Sequence, residues 1–179
     1  MTAPGKDYIV DPTTLDFGNI SANIDEIRQH NAQRFEMEQL TAVIFEDREK
    51  FRCAGFKDVS HDEFWVRGHM PGMPLMPGVV MLEAVAQLCS YFAHKYDLLG
   101  DGMVGFGGLE EVRFRDPVLP GTRLVLMCEL LKARRNRMIV CRFQGLVGLN
   151  IAVEGILKGI PIPTEALARM ISAVPPQGS

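Results

Sequence analysis

Gly68-His-Met-Pro-Gly-Met-Pro-Leu-Met-Pro-Gly-Val-Val-Met-Leu-Glu-Ala-Val-Ala-Gln87 is the stretch that decides how this chain folds. Its first eleven residues, from Gly68 to Gly78, hold three prolines and three glycines, which excludes regular structure and fixes one particular loop. From Val79 to Lys95 there is neither proline nor glycine, and apolar residues fall on nearly every side. That pattern predicts a helix buried all round, which needs a sheet to wrap it.

The flanking segments supply the sheet. Upstream, Leu40–Phe45, Phe51–Val59 and Glu63–Arg67 are rich in apolar and β-branched residues and predict strands. Downstream, Met103–Phe114, Arg123–Lys132, Met138–Val147 and Ile151–Ile160 are separated by turn signals at Asp116-Pro117, Pro120-Gly121, Arg135-Asn136 and Gly148 to Asn150. They predict an antiparallel meander, so the fold class is α+β, one long central helix against a curved antiparallel sheet. Residues 1–35 read as an arm outside the core. It carries one short helix after Asn23, where Asn23 and Glu26 form a capping-box pattern. Residues 36–162 form the main domain, and 163–179 a short helix over Thr164–Ser172 and a frayed tail from Pro175.

A chain of 179 residues with 47% hydrophobic content builds one domain with a proper core. Its net charge of −3 offers no electrostatic footprint for nucleic acid. Cys53, Cys89, Cys128 and Cys141 form no CxxC pair and have no histidine at zinc-binding spacing, so they read as reduced core residues. The first residues lack the basic start and apolar stretch of a secretory signal, which sets a cytoplasmic expectation. The longest apolar run, Val79 to Ala93, is interrupted by Glu83 and Gln87 and falls short of the roughly 20 residues that span a bilayer, so no membrane insertion is expected.

Glu83 lies in the second turn of the apolar helix, where loss of hydration favours a neutral acid, the reagent that gives a proton to a departing hydroxyl. Helical side chains lean towards the amino terminus, so Glu83 points back towards the loop that carries His69. His69 is stiffened by Pro71, Pro74 and Pro77 and suits proton abstraction at neutral pH. The free N–H groups of Gly78 and Val79, where the helix begins, would receive developing negative charge on a carbonyl oxygen. Base, acid and oxyanion site together are what dehydration of a β-hydroxyacyl thioester requires, with no cofactor and no metal ion. Taken singly, each residue has a plainer reading. A loop histidine is usually a surface hydrogen-bonding group, a buried glutamate is more often paired than catalytic, and Gln87 is its helical neighbour. Met70, Met73, Met76 and Met81 fill core gaps or line an acyl channel, with Met70 and Met73 the channel candidates.

The joint pattern resembles the signature of the FabZ-type β-hydroxyacyl-acyl carrier protein dehydratases of fatty acid synthesis. The histidine, the three prolines, the glycines, the glutamate and the closing Ala-x-Ala-Gln fall in step. A second block, Phe106-Gly-Gly-Leu-Glu-Glu-Val-Arg-Phe-Arg-Asp-Pro-Val-Leu-Pro-Gly121, is similar to the family's next strand and turn. The resemblance covers residues 36 to 160. It implies a hotdog fold, a homodimer in which His69 and Glu83 of each site come from different subunits, and assembly as a trimer of dimers in some members. It further implies that the Gly78 amide holds the thioester carbonyl and that Gln87 supports the acid. Glutamate at 83 favours simple dehydration over the dehydratase-isomerases, which carry aspartate there. Met70 stands where the family usually has phenylalanine and Met73 where it often has arginine, and the amino-terminal block survives only as Gln33-Arg34-Phe35.

An acyl carrier protein is acidic, so Arg113, Arg115, Arg134, Arg135 and Arg137 are candidate contacts, against the plainer reading that they face water. Two alternatives stand beside the dehydratase: a hotdog hydratase or thioesterase acting on acyl-coenzyme A, and a non-catalytic subunit that binds an acyl chain or carrier protein.

Overall fold

Pro77 ends the loop and the helix begins at the next residue, running over Gly78–Lys95 (α2). A computed structural model describes residues 7–173. The remaining elements are α1 (Ile24–His30), β1 (Ala42–Asp47), β2 (Arg52–Asp58), β3 (Met103–Phe114), β4 (Arg123–Arg134), β5 (Met138–Val147), β6 (Asn150–Ile162) and α3 (Thr164–Ala173). The tail expected to fray from Pro175 lies outside the described residues.

The six strands form one antiparallel sheet in the order β1-β2-β4-β5-β6-β3. Strands β4, β5 and β6 make the expected meander, but β3 does not lead it. It lies on the far edge, paired with β6. The physical reason is α2, which packs across one face and touches five strands, so the chain re-enters the sheet on the side opposite its exit. Glu63–Arg67 is likewise not a strand. Val66 N–H donates to the Glu63 carbonyl, and the amides of Gly68 and His69 both donate to the Trp65 carbonyl, giving successive turns. Strand β2 already pairs with β1 and β4, so neither of its edges is open, and Ala22 bridges to Val43 and takes part of the outer edge of β1. The apolar content of 63–67 instead plants Trp65 in the core.

Leu82, Val85, Leu88, Cys89 and Phe92 of α2 pack on Val43, Leu124, Leu126, Ile139 and Phe143 of the sheet. Burying one such Leu or Phe contributes about 1.5–3 kcal/mol. Gly55 permits the close approach: a Cβ there would lie 2.7 Å from the Ala42 carbonyl oxygen and 3.3 Å from Leu88 Cδ1. The four cysteines are free and buried, and they belong to this same core. Burial pushes the Cys53 thiol up. Hydrogen bonds to Cys128 and Cys141, with burial, push Cys89 up.

Two expectations need correction. The helix is not buried all round, because Val79 is 73% exposed and Glu83 and Ala86 are only half-buried, leaving one open stripe. The arm is not outside the core. Ile9 and Val10 cover Ala54, Val125, Met127 and Leu146 in a separate apolar cluster, and Ala22 and Ile27 enter the main core. Those sheet residues are apolar and require cover, which the arm supplies. It is pinned by Ile9 N–H donating to Gln144 Oε1 at 2.8 Å and Gln144 Nε2 donating to the Asp7 carbonyl at 2.8 Å. The Asn23 capping box forms as expected, with Asn23 Oδ1 accepting from the Asp25 and Glu26 amides and Glu26 Oε2 accepting from the Asn23 amide. Among the described residues no helix is long and apolar enough to cross a membrane.

Candidate functional site

The proline-rich loop is strapped at both ends. Trp65 and Met76 are buried anchors, and the Met76 amide donates to the Val118 carbonyl at 2.8 Å. Between them, His69 N–H donates to the Trp65 carbonyl at 2.8 Å and Leu75 N–H donates to the His69 carbonyl at 2.9 Å. The amides and carbonyls of Met70 and Met73 close a small ring by mutual hydrogen bonds, and the His69–Met70 peptide is cis. His69 Nδ1 lies 2.8 Å from the Leu75 carbonyl oxygen. A carbonyl only accepts, so Nδ1 carries a proton and Nε2 is the nitrogen left to accept one.

At the start of α2, the Val80 and Met81 amides both reach the Pro77 carbonyl, at 2.9 and 3.1 Å. The Gly78 and Val79 amides have no acceptor among the described residues, as expected at an uncapped helix start. Glycine at 78 has a steric reason: a Cβ there would lie 2.7 Å from Phe114 Cε1. The aromatic ring at the end of β3 thus packs against the first residue of the helix.

One turn and a half further along, Glu83 is half-buried. Its Oε1 accepts from Gln87 Nε2 at 2.8 Å and from Gln33 Nε2 at 3.1 Å, which leaves Oε2 without a partner among the described residues. The expected apolar surround is therefore replaced, within one chain, by two amides. Gln87 is buried and serves more than Glu83. Its Nε2 also donates to the Met37 carbonyl at 2.6 Å, its Oε1 accepts from the Gln39 amide at 2.8 Å, and its own carbonyl accepts from Asn31 Nδ2 at 2.9 Å. The side chain thus clamps residues 37–39 over the helix, while the main-chain carbonyl of the same residue holds Asn31.

The structure brings Glu83 and Gln87 together, and sets Gly78 and Val79 at the start of the same helix. It joins His69 to Glu83 by no hydrogen bond within the chain; each is held by its own element. Met70 and Met73 stand exposed on the loop, 48% and 72%. Arg113 and Arg115 flank Phe114 and so lie at the site end, with Arg115 paired to Glu154. Arg134, Arg135 and Arg137 belong to the β4–β5 turn, where Arg135 pairs with Asp97 beyond the carboxy end of α2. For an 18-residue helix that is about 27 Å from Gly78. Sequence reasoning missed Gln33, Phe114 and the Leu75 carbonyl as contributors. Gln33 is 50 residues from Glu83 and no spacing rule joins them.

A family model described as the FabA-like domain matches residues 31–155. Among solved structures, the dehydratase heterocomplex ApeI:P from Xenorhabdus doucetiae aligns with a TM-score of 0.66 at 16% identity, covering 81% of this chain and 96% of that one. A sigma28-regulated virulence protein from Campylobacter jejuni aligns at 0.59 and 14% identity, over 79% and 94% of the two chains. The fluoroacetyl-CoA thioesterase FlK aligns at 0.56 and 19% identity, over 69% and 96%. At these identities the structural likeness speaks for the fold, which is the expected hotdog: a long helix wrapped by an antiparallel sheet.

Proposed function

This chain belongs to the FabA-like domain family, and from that premise we propose that it dehydrates a β-hydroxyacyl group carried as a thioester on acyl carrier protein. His69 Nε2 takes a proton from the α-carbon as negative charge moves onto the thioester oxygen, which the Gly78 and Val79 amides receive. Glu83 gives a proton from Oε2 to the β-hydroxyl, which leaves as water as the α,β double bond forms. The observation that carries the reading is the His69 Nδ1 contact with the Leu75 carbonyl. It orients the ring and assigns the free lone pair to the nitrogen that a base must use.

The site is completed by a second copy of the chain, so that His69 and Glu83 of one site come from different protomers. What supports this is the far edge of the sheet. On β1 the outer edge is partly covered, with the Ser21 and Ala22 amides donating to the Val43 carbonyl. On β3, a strand of 12 residues, the outer edge has no partner strand among the described residues and carries exposed Phe106, Leu109 and Phe114. A long apolar edge of this kind calls for cover. Assembly stops at the homodimer or proceeds to a trimer of dimers, which the mass in solution decides.

The test offers β-hydroxybutyryl and crotonyl thioesters, on carrier protein and on coenzyme A, and follows the enoyl absorbance and thiol release. Interconversion identifies the dehydratase and the carrier it prefers. Thiol release identifies a thioesterase, and binding without turnover a subunit that only holds the chain. His69→Ala and Glu83→Gln each lower turnover by about a hundredfold or more. Mixing the two inactive variants restores roughly a quarter of the sites if the two residues act across protomers, because half the dimers are then mixed and each regains one site. Near-normal turnover in either single variant overturns the roles.

A further inference from the structure

Along α2 the groups proposed for dehydration follow the order of atoms in a thioester: Gly78 for the carbonyl, then Glu83 for the β-carbon. The acyl tail continues in the same direction. With 3.6 residues per turn, Val79, Glu83, Ala86, Ser90 and His94 share one helical face, and Ser90 lies about 10 Å beyond Glu83 along the axis. There the structure has a cavity of about 290 Å³, lined by Ser90 and His94, by Gln29 and His30 at the end of α1 and Gln33 beyond it, and by the start of β3 at Met103. Gln33 joins it to the acid, since the same side chain lines the cavity and donates to Glu83 Oε1.

Beside the apolar Ala32, Met103 and Val104, the lining carries amide, imidazole and hydroxyl groups and no Asp, Glu, Lys or Arg. His94 Nε2 lies 2.9 Å from the Gly102 carbonyl oxygen, so Nε2 holds the proton and Nδ1 accepts from Ser90 Oγ at 3.3 Å. The Ser90 lone pairs remain open. His30 packs edge-on to Tyr91, and its ring nitrogens have no hydrogen-bond partner among the described residues. Burial foremost, with the nearby positive charge of Lys95, holds its pKa below the ordinary value of 6.5. Lys95 itself is engaged with Glu46 and offers no free cation. The apolar residues take the methylene chain, a plain alkyl end would leave the Ser90 hydroxyl and the His30 nitrogens without a partner, and a carboxylate end would meet no lysine or arginine in the lining. A hydroxyl or carbonyl meets the donors and acceptors of Gln29, His30, Gln33 and Ser90.

Resting on the dehydratase reading, we propose that the cavity formed by His30, Gln33, Ser90 and His94 is a subsite for the far end of a medium-length acyl chain that bears an uncharged oxygen, a hydroxyl or a carbonyl. The test compares the pantetheine thioesters of β-hydroxydecanoate and β,ω-dihydroxydecanoate on the full chain. The dihydroxy substrate is expected to show a kcat/KM higher by about tenfold or more, the yield of one well-made hydrogen bond in a desolvated site. Ser90→Ala and His30→Leu each bring that ratio towards one, and Ser90→Ala, the milder change, serves if the leucine variant fails to fold. Binding is read separately from the imidazole proton shifts of His30 and His94. If both substrates turn over and the alkyl one is equal or better, the inference falls while the dehydratase stands. If neither turns over, the dehydratase reading falls, and the subsite survives only if the dihydroxy ligand alone shifts the two histidines. Absence of that shift overturns it.

Discussion

Replacing Gln87 with leucine tests whether one buried amide holds the acid in place. The substitution keeps the bulk of the side chain and removes three hydrogen bonds, to the Met37 carbonyl, Glu83 Oε1 and the Gln39 amide. At about 1 kcal/mol net for each, the bonds contribute about 3 kcal/mol. The partners do not suffer equally. Gln39 is 1% exposed, so its amide is left unsatisfied, whereas Met37 is exposed and Glu83 half-buried, and both regain water. Leucine in a buried position returns about 1 kcal/mol or more of apolar transfer. The expected loss is therefore about 2 kcal/mol. At 2–4 °C per kcal/mol for a domain of this size, that is a fall in Tm of about 4–8 °C. It is read at fixed protein concentration, because assembly shifts apparent stability. Gln33→Leu is the internal control: it removes one bond of 3.1 Å at a half-buried place and costs less than about 1 kcal/mol. Both variants lower turnover by loosening Glu83, but only Gln87→Leu loosens residues 37–39, which hydrogen exchange of the Gln39 amide reports. A Gln87→Leu protein as stable as the parent, or one no less stable than Gln33→Leu, refutes the clamp.

Lys57 and Glu63 form an ion pair of 2.8 Å with side chains only 8% and 11% exposed. Lys57→Met leaves Glu63 buried and unpaired and is expected to cost about 3 kcal/mol in urea unfolding, with Lys57→Met/Glu63→Gln recovering most of it. Since Glu63 begins the turns that lead to His69, the single variant also slows turnover, and equal stability of the single and double variants would refute the pairing argument. His30 supplies a pH dependence. Its folded pKa lies below 6.5, so between that pKa and 6.5 the unfolded chain binds more protons, and stability is lost as pH falls through the window. The slope of unfolding midpoint against pH should be shallower in His30→Gln; an unchanged slope places the pH dependence elsewhere.

The parts of the fold that were legible in the sequence are those set by local chemistry. Pro77 and the run without proline or glycine placed α2 to within a residue, and Asn23 with Glu26 announced the start of α1. Turn signals at Pro120-Gly121 and Gly148 located the ends of β4, β5 and β6 closely. Strand order was not legible, because nothing within Met103–Phe114 distinguishes pairing with β4 from pairing with β6. That choice is made by where α2 releases the chain. Glu63–Arg67 misled for a related reason: an apolar, aromatic stretch fits a strand or an anchored turn equally well, and only the occupied edges of β1 and β2 decide between them.

The site divides along the same line, and the division explains the error about α2. His69, Gly78, Glu83 and Gln87 stand in one continuous motif, whereas Gln33 and Phe114 reach the site only through tertiary packing. Apolar residues on every side of a helix imply burial on every side only if the chain itself provides the cover. Val79 is apolar and yet exposed, Ala86 is only half-buried, and they share their face with Glu83 and Ser90. Composition records that such a face leaves water, and it is silent on what displaces the water. In this molecule the sheet covers the opposite face, the arm covers the outer side of the sheet, and residues 29–33 reach the stripe at Glu83 and Ser90 but leave Val79 open. A face left open beside an acid, two free amides and a polar cavity is the arrangement expected where the cover is a substrate and a second copy of the chain.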